Sequence, residues 1–410
     1  MLLNRLLLST VALAVAGPAL AQTGEPVEQG AKNRPGIEPA FENQTRAPAM
    51  DSGYDLEVTE IAGGLAHPWG IAVLPGDQGY LVTERPGRLV HISETGEVSE
   101  PISGVPEVLN ERQGGLLDVA LGPDFEETRM VYLTFAEPLS GGLSATAAAR
   151  GVLSEDMTDL TGVEEIFQQS PGSPNPMHYG SRILFDGEGH AFITTGEHFT
   201  EAERQYSQDL DKTYGKIVRV TLDGSTPEGN PFTGEAGAQP EIWTLGHRNI
   251  QGAAIRPDTG QLWAIEHGPQ GGDELNLIEP GNNYGWPIVS YGINYGGSEV
   301  GSGAAAHAPN GFTEPVYYWD PVIAPGGMTF YDGDMFEDWQ GDVLIGGLVA
   351  GTIIRLEMEG DRVVGEERLD TDLGRTRDVA VDQDGSVLAI TDVEDGGLFR
   401  LTPAGGSGSD

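Results

Sequence analysis

One pattern recurs six times along this chain and leaves few folds open. From Gly70 onward a small residue opens an alternating apolar run, a turn with Asp or Gly follows, and a second apolar run completes the unit. The copies pair Gly70–Pro75 with Tyr80–Val82, Leu117–Leu121 with Val131–Leu133, and Ser181–Phe185 with Ala191–Ile193. They continue with Gly252–Ile255 and Leu262–Ile265, Gly327–Phe330 and Val343–Ile345, and Asp378–Val381 and Val387–Ile390. Each pair reads as a β-hairpin by alternation and turn chemistry. Successive copies start 47 to 75 residues apart, which is room for a four-stranded blade plus loops. Placed radially, they make an all-β, six-bladed propeller of four-stranded antiparallel blades, an arrangement that leaves only short, protected sheet edges. Tyr54 to Ile61 alternates in Leu56, Val58 and Ile61 and is placed to pair with the last blade and close the ring. A pair of β-sandwiches competes with this layout, but no composition break divides the repeats.

Glycine supplies 60 of the 410 residues, about twice its usual share, and with 27 prolines it favours turn-dense strands over helices. Outside the expected propeller, residues 53–404, lie three short pieces. Arg5, the apolar run Leu6–Val15 and the small-residue pattern Ala19-Leu20-Ala21 read as a cleaved secretory signal over 1–21. That run is too short for a membrane anchor, which needs about 20 apolar residues. Residues 22–52, polar and without periodicity, read as a flexible leader, and 405–410 as a flexible tail. The expectation is a protein exported to the periplasm, with no membrane insertion.

Acidic residues outnumber basic ones 63 to 22, for a formal charge of -41, which disfavours nucleic acid and anionic lipid as partners. The absence of cysteine excludes disulfides, thiolate metal sites and thiol nucleophiles, so any metal must sit among oxygens or imidazoles. Against that acidity, the ends from which the innermost strands start are unusually cationic and polar. They carry His67, Gln113, His178 with Arg182, His247-Arg248-Asn249, and Arg375 with Arg377. In a propeller these ends meet around one channel. Arg248, Arg375 and Arg377 there form a positive funnel for a small polyanion, or else each caps its own blade and pairs with local carboxylates. A neutral imidazole beside such cations stays deprotonated, which makes His178 the candidate general base. His67, before Pro68, reads as structural, and His190 and His198 have no evident partner.

A second constellation runs from Glu266 to Tyr295. Gly268, Pro269, Gly271 and Gly272 allow close backbone approach, and Asp273 and Glu274 offer hard anionic oxygens, a donor set suited to calcium. It is not an EF-hand, and the chain lacks a Walker loop, a nucleophile elbow and a His-Glu-x-x-His motif. Tyr317, Tyr318 and Trp319 are either an aromatic shelf for a sugar ring or buried blade aromatics.

Four stretches together resemble the soluble, pyrroloquinoline quinone (PQQ)-dependent aldose sugar dehydrogenases, which are periplasmic six-bladed propellers. They are Arg112-Gln113-Gly114-Gly115-Leu116-Leu117-Asp118, His178-Tyr179-Gly180-Ser181-Arg182, Gly246–Gly252, and Gly268–Glu274 continuing to Asn283-Tyr284-Gly285-Trp286. The resemblance covers nearly all of the chain after about residue 54. It implies that His178 takes the anomeric hydroxyl proton of an aldose while hydride passes from C1 to the quinone. It implies further that Gln113, Arg248, Asn249, Tyr295, Arg375 and Arg377 hold PQQ, and that the carbonyls of Gly268 and Pro269 bind a calcium that polarises it. Glu274 and Tyr284 match a second, structural calcium site. Products would be lactones, with electrons leaving to an external acceptor. One position departs from the pattern: Val349 stands where members often carry a cofactor-contacting lysine. That departure keeps two alternatives open, a calcium-dependent lactonase and a non-catalytic propeller that binds glycans or proteins.

Overall fold

The apolar alternation of each repeat gives strands whose two faces are both covered, because every blade packs against a neighbour on each side. In the computed structural model, which describes residues 24–405, six small sheets surround an axis. The innermost strands are Pro68–Val73, Leu116–Leu121, Gly180–Phe185, Ile250–Ile255, Pro325–Phe330 and Thr376–Val381. Each starts within two residues of the start of the corresponding repeat. Each contacts the next around the ring, and the first meets the last. We number the blades 1 to 6 by these strands.

Blades 2 to 6 have four strands, and blade 1 has three. Its fourth is reduced to one bridge between Ile92 and Val98. Blade 6 is completed from the other end of the chain. Leu56–Leu65 pairs antiparallel with Gly396–Pro403, with Val58 opposite Leu401, so the ring closes as the alternation predicts. The apolar core is divided among the blade interfaces. Between blades 1 and 2, Ala72 and Leu81 pack with Val119 and Leu133, and between blades 4 and 5, Trp263 and Ile265 pack with Phe330 and Ile345.

Two features aim side chains at the axis. All six innermost strands shift register against the second strand of their blade near their starting ends. Such irregularities bend a strand and redirect its side chains. At mid-channel Gly327 leaves room for an ion cluster, since a Cβ there would lie 1.6 Å from Asp378 Oδ1.

Residues 24–50 differ from the expected flexible leader. They form a strap across blades 4 and 5, with Ala49 bridging to Glu366 and Met50 N donating to Glu366 O at 2.8 Å. Arg34, Gln44 and Ala47 are buried in it. Low apolar content misled the sequence reading, because this segment is held by side-chain and backbone hydrogen bonds to the propeller rather than by an apolar face. The signal segment 1–21 and tail positions 406–410 lie outside the described residues. Among the described residues no helix is long and apolar enough to cross a membrane.

Candidate active site

The channel is plugged by charge. Arg182 Nη1 donates to Asp118 Oδ1 at 2.8 Å and Asp378 Oδ2 at 2.9 Å, all three side chains being buried, and its guanidinium lies 4.7 Å from the Trp69 ring centre. Burial pushes Asp118 up to about 7, with Arg182 pulling it down and Asp378 adding to the rise. Arg182 therefore serves the axis of the propeller and is not free to meet a ligand.

Above Trp69 opens a cavity of about 210 Å3. Gln113, His178, Arg248, Asn249, Tyr295, Arg375 and Arg377 all line it, so every side chain expected for base and cofactor converges there. Gln113 and His178 are tied together, His178 N donating to Gln113 Oε1 at 2.8 Å. Asn249 Oδ1 accepts from Gly180 N at 3.0 Å, fixing blade 4 against blade 3. Tyr295 is exposed at the mouth, facing Phe199 at 6.1 Å between ring centres.

His178 is buried, with its Nδ1 3.3 Å from Glu197 Oε2 and its ring edge-on to Phe199. That leaves Nε2 as the nitrogen for the cavity. Burial first, then Arg248, lowers the imidazole below its ordinary value, while Glu197 opposes both. Glu197 in turn lies below the usual carboxylate range: burial would raise it, but His178 and Arg248 outweigh that. The approach of these groups needs Gly196, where a Cβ would lie 1.9 Å from His178 O.

Four guanidinium groups line the cavity, Arg85, Arg248, Arg375 and Arg377, against Asp392 as the carboxylate among its lining residues. Arg377 pairs with Asp392 and donates to Gln251 Oε1 at 2.8 Å. Burial would raise Asp392, but Arg377 and then Arg85 hold it well below the carboxylate range. Arg248 Nη1 donates to His267 O at 2.9 Å and Gly268 O at 2.8 Å. The Nε atoms of Arg85, Arg248 and Arg377 are buried without a hydrogen-bond partner. Arg248 and Arg377 are buried, Arg85 is half-buried and Arg375 is exposed at the rim; this excess of cation with unpaired donors suits an anion of several charges. Val349 is 62% exposed, and its neighbour Leu348, not Val349, lines the cavity.

Beside Arg248 a small cavity of about 10 Å3 is lined by Gly268, Pro269, Glu266, Glu274, Tyr284 and His307, among others. It has room for about one water-sized sphere. Thus all four expected metal residues meet here. Burial, then Glu266 and Glu314, raise Glu274 well above its ordinary value. Glu274 faces this void with a carboxylate suited to a hard divalent cation, whereas Glu266 already accepts from His247 Nδ1 at 2.9 Å, Asn276 Nδ2 at 3.1 Å and Arg248 N at 2.6 Å. Asp273 is likewise spoken for: it accepts from the backbone N of Gly268, Ile323 and Ala324.

A further cavity of about 270 Å3 adjoins the first and shares Arg248 and Tyr295 with it. Phe199 and Trp286 give it apolar walls, and Glu197, Arg204 and Asn294 give it polar ones. Tyr317, Tyr318 and Trp319 take no part. They form the outermost strand of blade 4, buried, with Tyr317 Oη donating to Glu366 Oε2 at 2.8 Å. A cavity of about 870 Å3 opens at the other end of the channel among acidic turns and holds no expected site residue.

Other histidines find scaffolding roles. His67 Nδ1 is 3.1 Å from Asp392, His247 lies between Glu266 and Thr244, and His198 Nε2 is 2.6 Å from Gln169 Oε1. His190 has a partner after all in Asp186 at 2.6 Å. The sequence reading missed Arg85, Glu197, Gln251, His267 and Asp392. All but Gln251 follow the second strand of a blade, and those turns open on the same face as the starts of the innermost strands.

Residues 65–400 match the family model for Glucose / Sorbosone dehydrogenase. The chain is 43% identical over 349 residues to aldose sugar dehydrogenase YliI of Escherichia coli, covering 85% of this chain and 93% of that protein. It is 26% identical over 423 residues to quinoprotein glucose dehydrogenase B of Acinetobacter calcoaceticus, covering 84% and 86%. Among solved structures, the PQQ-bound form of aldose sugar dehydrogenase from Streptomyces coelicolor aligns with a TM-score of 0.67 at 29% identity, covering 87% of this chain and 99% of that one.

Proposed function

The chain belongs to the glucose/sorbosone dehydrogenase family, and from that premise we propose that it oxidises aldoses at C1 to lactones with PQQ and calcium, His178 acting as general base. The observation that carries the reading is the convergence of four guanidinium groups and a neutral, buried histidine on one cavity in a chain of charge -41. When bound, PQQ supplies the two-electron acceptor for the hydride leaving C1.

The protein's own part is binding, orientation and one proton. Arg248, Arg375 and Arg377, with Gln113, Asn249 and Tyr295, would hold the carboxylates and ring of the cofactor. Gly268 and Pro269 would offer carbonyl oxygens to a calcium, and Glu274 with Tyr284, expected at a second calcium, border the same void of about 10 Å3, which has room for one ion. His178 Nε2 takes the sugar hydroxyl proton, and the imidazolium so formed is stabilised by Glu197 at 3.3 Å from Nδ1. The adjoining cavity, with Phe199, Trp286 and polar walls, suits a sugar ring, apolar on its faces and polar at its rim. Electrons then leave to an external acceptor. The amino-terminal pattern supports a periplasmic location.

Titration of mature apoprotein with PQQ in excess calcium, followed by glucose and an electron-accepting dye, tests the reading. Saturable binding with dye reduction is expected, and His178→Ala should lose turnover while retaining PQQ. Folded protein that fails to bind PQQ, or that hydrolyses lactones without it, would overturn the proposal.

A further inference from the structure

The strap of residues 24–50 lies outside the span matched by the family, which begins at residue 65, yet it grips two parts of the candidate site. Arg34, though charged, is buried. Its Nη1 donates to Ser290 O at 2.7 Å and its Nη2 to Gly303 O at 2.8 Å, with Glu299 Oε2 2.7 Å away. Ser290 and Gly303 are the two ends of the loop whose tip carries Tyr295. That loop has no named strand: isolated bridges join it to Gln270 and within itself, Tyr291 anchors its start by stacking on Tyr318, and Arg204 Nη1 donates to Asn294 Oδ1 at 2.8 Å. A planar guanidinium spanning both ends closes it at the neck in a way a point charge cannot.

Asn33 reaches the other part. Its Oδ1 accepts from Gln270 Nε2 at 3.0 Å, in the turn Gly268–Gly272, while its own N and Nδ2 donate to Asp320 Oδ1 at 2.9 and 2.6 Å. Arg34 N donates to Asp320 Oδ2 at 2.9 Å, so both strap residues hang from one buried carboxylate. Neither residue lines a cavity of the site.

We propose that the strap is a positioning element: Arg34 fixes the Tyr295 loop and Asn33 the Gly268–Gly272 turn, so that a segment outside the propeller sets affinity for cofactor and sugar. This rests on the reading of the site given above.

The test uses the full mature protein with Arg34→Ala, reading amide hydrogen exchange with and without PQQ. Exchange across residues 290–303 should rise about tenfold or more, with the blade 2 strand Met130–Leu139 unchanged. The dissociation constant for PQQ and KM for the aldose should rise more than kcat falls. Arg34→Ala combined with Tyr295→Ala should lose no more affinity than Tyr295→Ala alone, because both act through one loop. Unchanged exchange at 290–303 in folded Arg34→Ala, or full additivity in the double variant, overturns the proposal. If Arg34→Ala does not fold, Asn33→Ala removes only the side-chain contacts to Gln270 and Asp320, keeps the backbone bond to Asp320, and must loosen 268–272, or the proposal fails. Should the parent protein bind no PQQ, the functional reading falls, and the exchange data still decide whether the strap holds the loop.

Discussion

Glu197→Gln isolates the electrostatic part of the proposed proton transfer. The substitution keeps the shape of the side chain and removes its charge, 3.3 Å from His178 Nδ1. At an effective dielectric constant of about 20, opposite unit charges at that distance attract by about 5 kcal/mol. That attraction exists only once His178 has taken the proton, so it acts on the transition state and not on bound sugar. Arg248 Nε, 3.9 Å from Glu197 Oε1, shares the carboxylate and cuts the net effect. With roughly half of the attraction remaining, about 2–3 kcal/mol, kcat should fall about 30- to 150-fold. Glu197 does not line the cavity assigned to PQQ, so cofactor affinity should change little. The pH profile gives a second reading. Glu197 raises the His178 pKa, so its loss should move the acid limb of kcat/KM further down in pH, even as the rate falls. Steady-state dye reduction from pH 4 to 9, with PQQ occupancy measured in parallel, checks both. A PQQ-loaded variant with kcat within about threefold of the parent, or an acid limb that moves up, would refute the argument.

Three other outcomes are expected. In the parent protein, burial and Arg248 keep His178 neutral, so the acid limb of kcat/KM should lie below the ordinary histidine value of about 6.5. Arg182→Met leaves Asp118 and Asp378 buried without their cation and should cost about 3–5 kcal/mol in chemical denaturation, with partial recovery when both are also changed to Asn. Chelation of calcium should lower Tm, and more so at higher pH: the raised pKa of Glu274 means that the metal-free fold loses stability as pH climbs from the ordinary carboxyl value of about 4.3 toward that raised value. Thermal scans at pH 5 and pH 8 with and without chelator measure the difference.

Val349 shows how a sequence departure gains meaning from position. It is exposed at the rim, its N donating to Ile323 O at 3.0 Å, while Leu348 faces the cavity and Arg85 enters from blade 1. A cavity with four guanidinium groups retains a strong positive excess without a lysine at 349.

The repeat of alternating apolar runs determined the fold class, because strands covered on both faces and joined by short turns pack radially. The ring closure by Leu56–Leu65 and the convergence of His178 with Arg248, Arg375 and Arg377 were legible for the same reason: equivalent positions of a repeat become neighbours around an axis. Tertiary structure alone decided the rest. Arg85 and Asp392 reach the cofactor cavity, and Glu197 the adjoining one beside His178, from turns after second strands, which carry no repeated residue type to reveal them. The aromatic run Tyr317–Trp319 went to a blade edge, and Phe199, Trp286 and Tyr295 supply the aromatic walls instead. The polar segment 24–50 became a strap because buried partners such as Asp320 satisfy its hydrogen bonds. Periodicity reports which face of a strand is covered, whereas the partner of a single polar side chain depends on distant chain that only folding brings near.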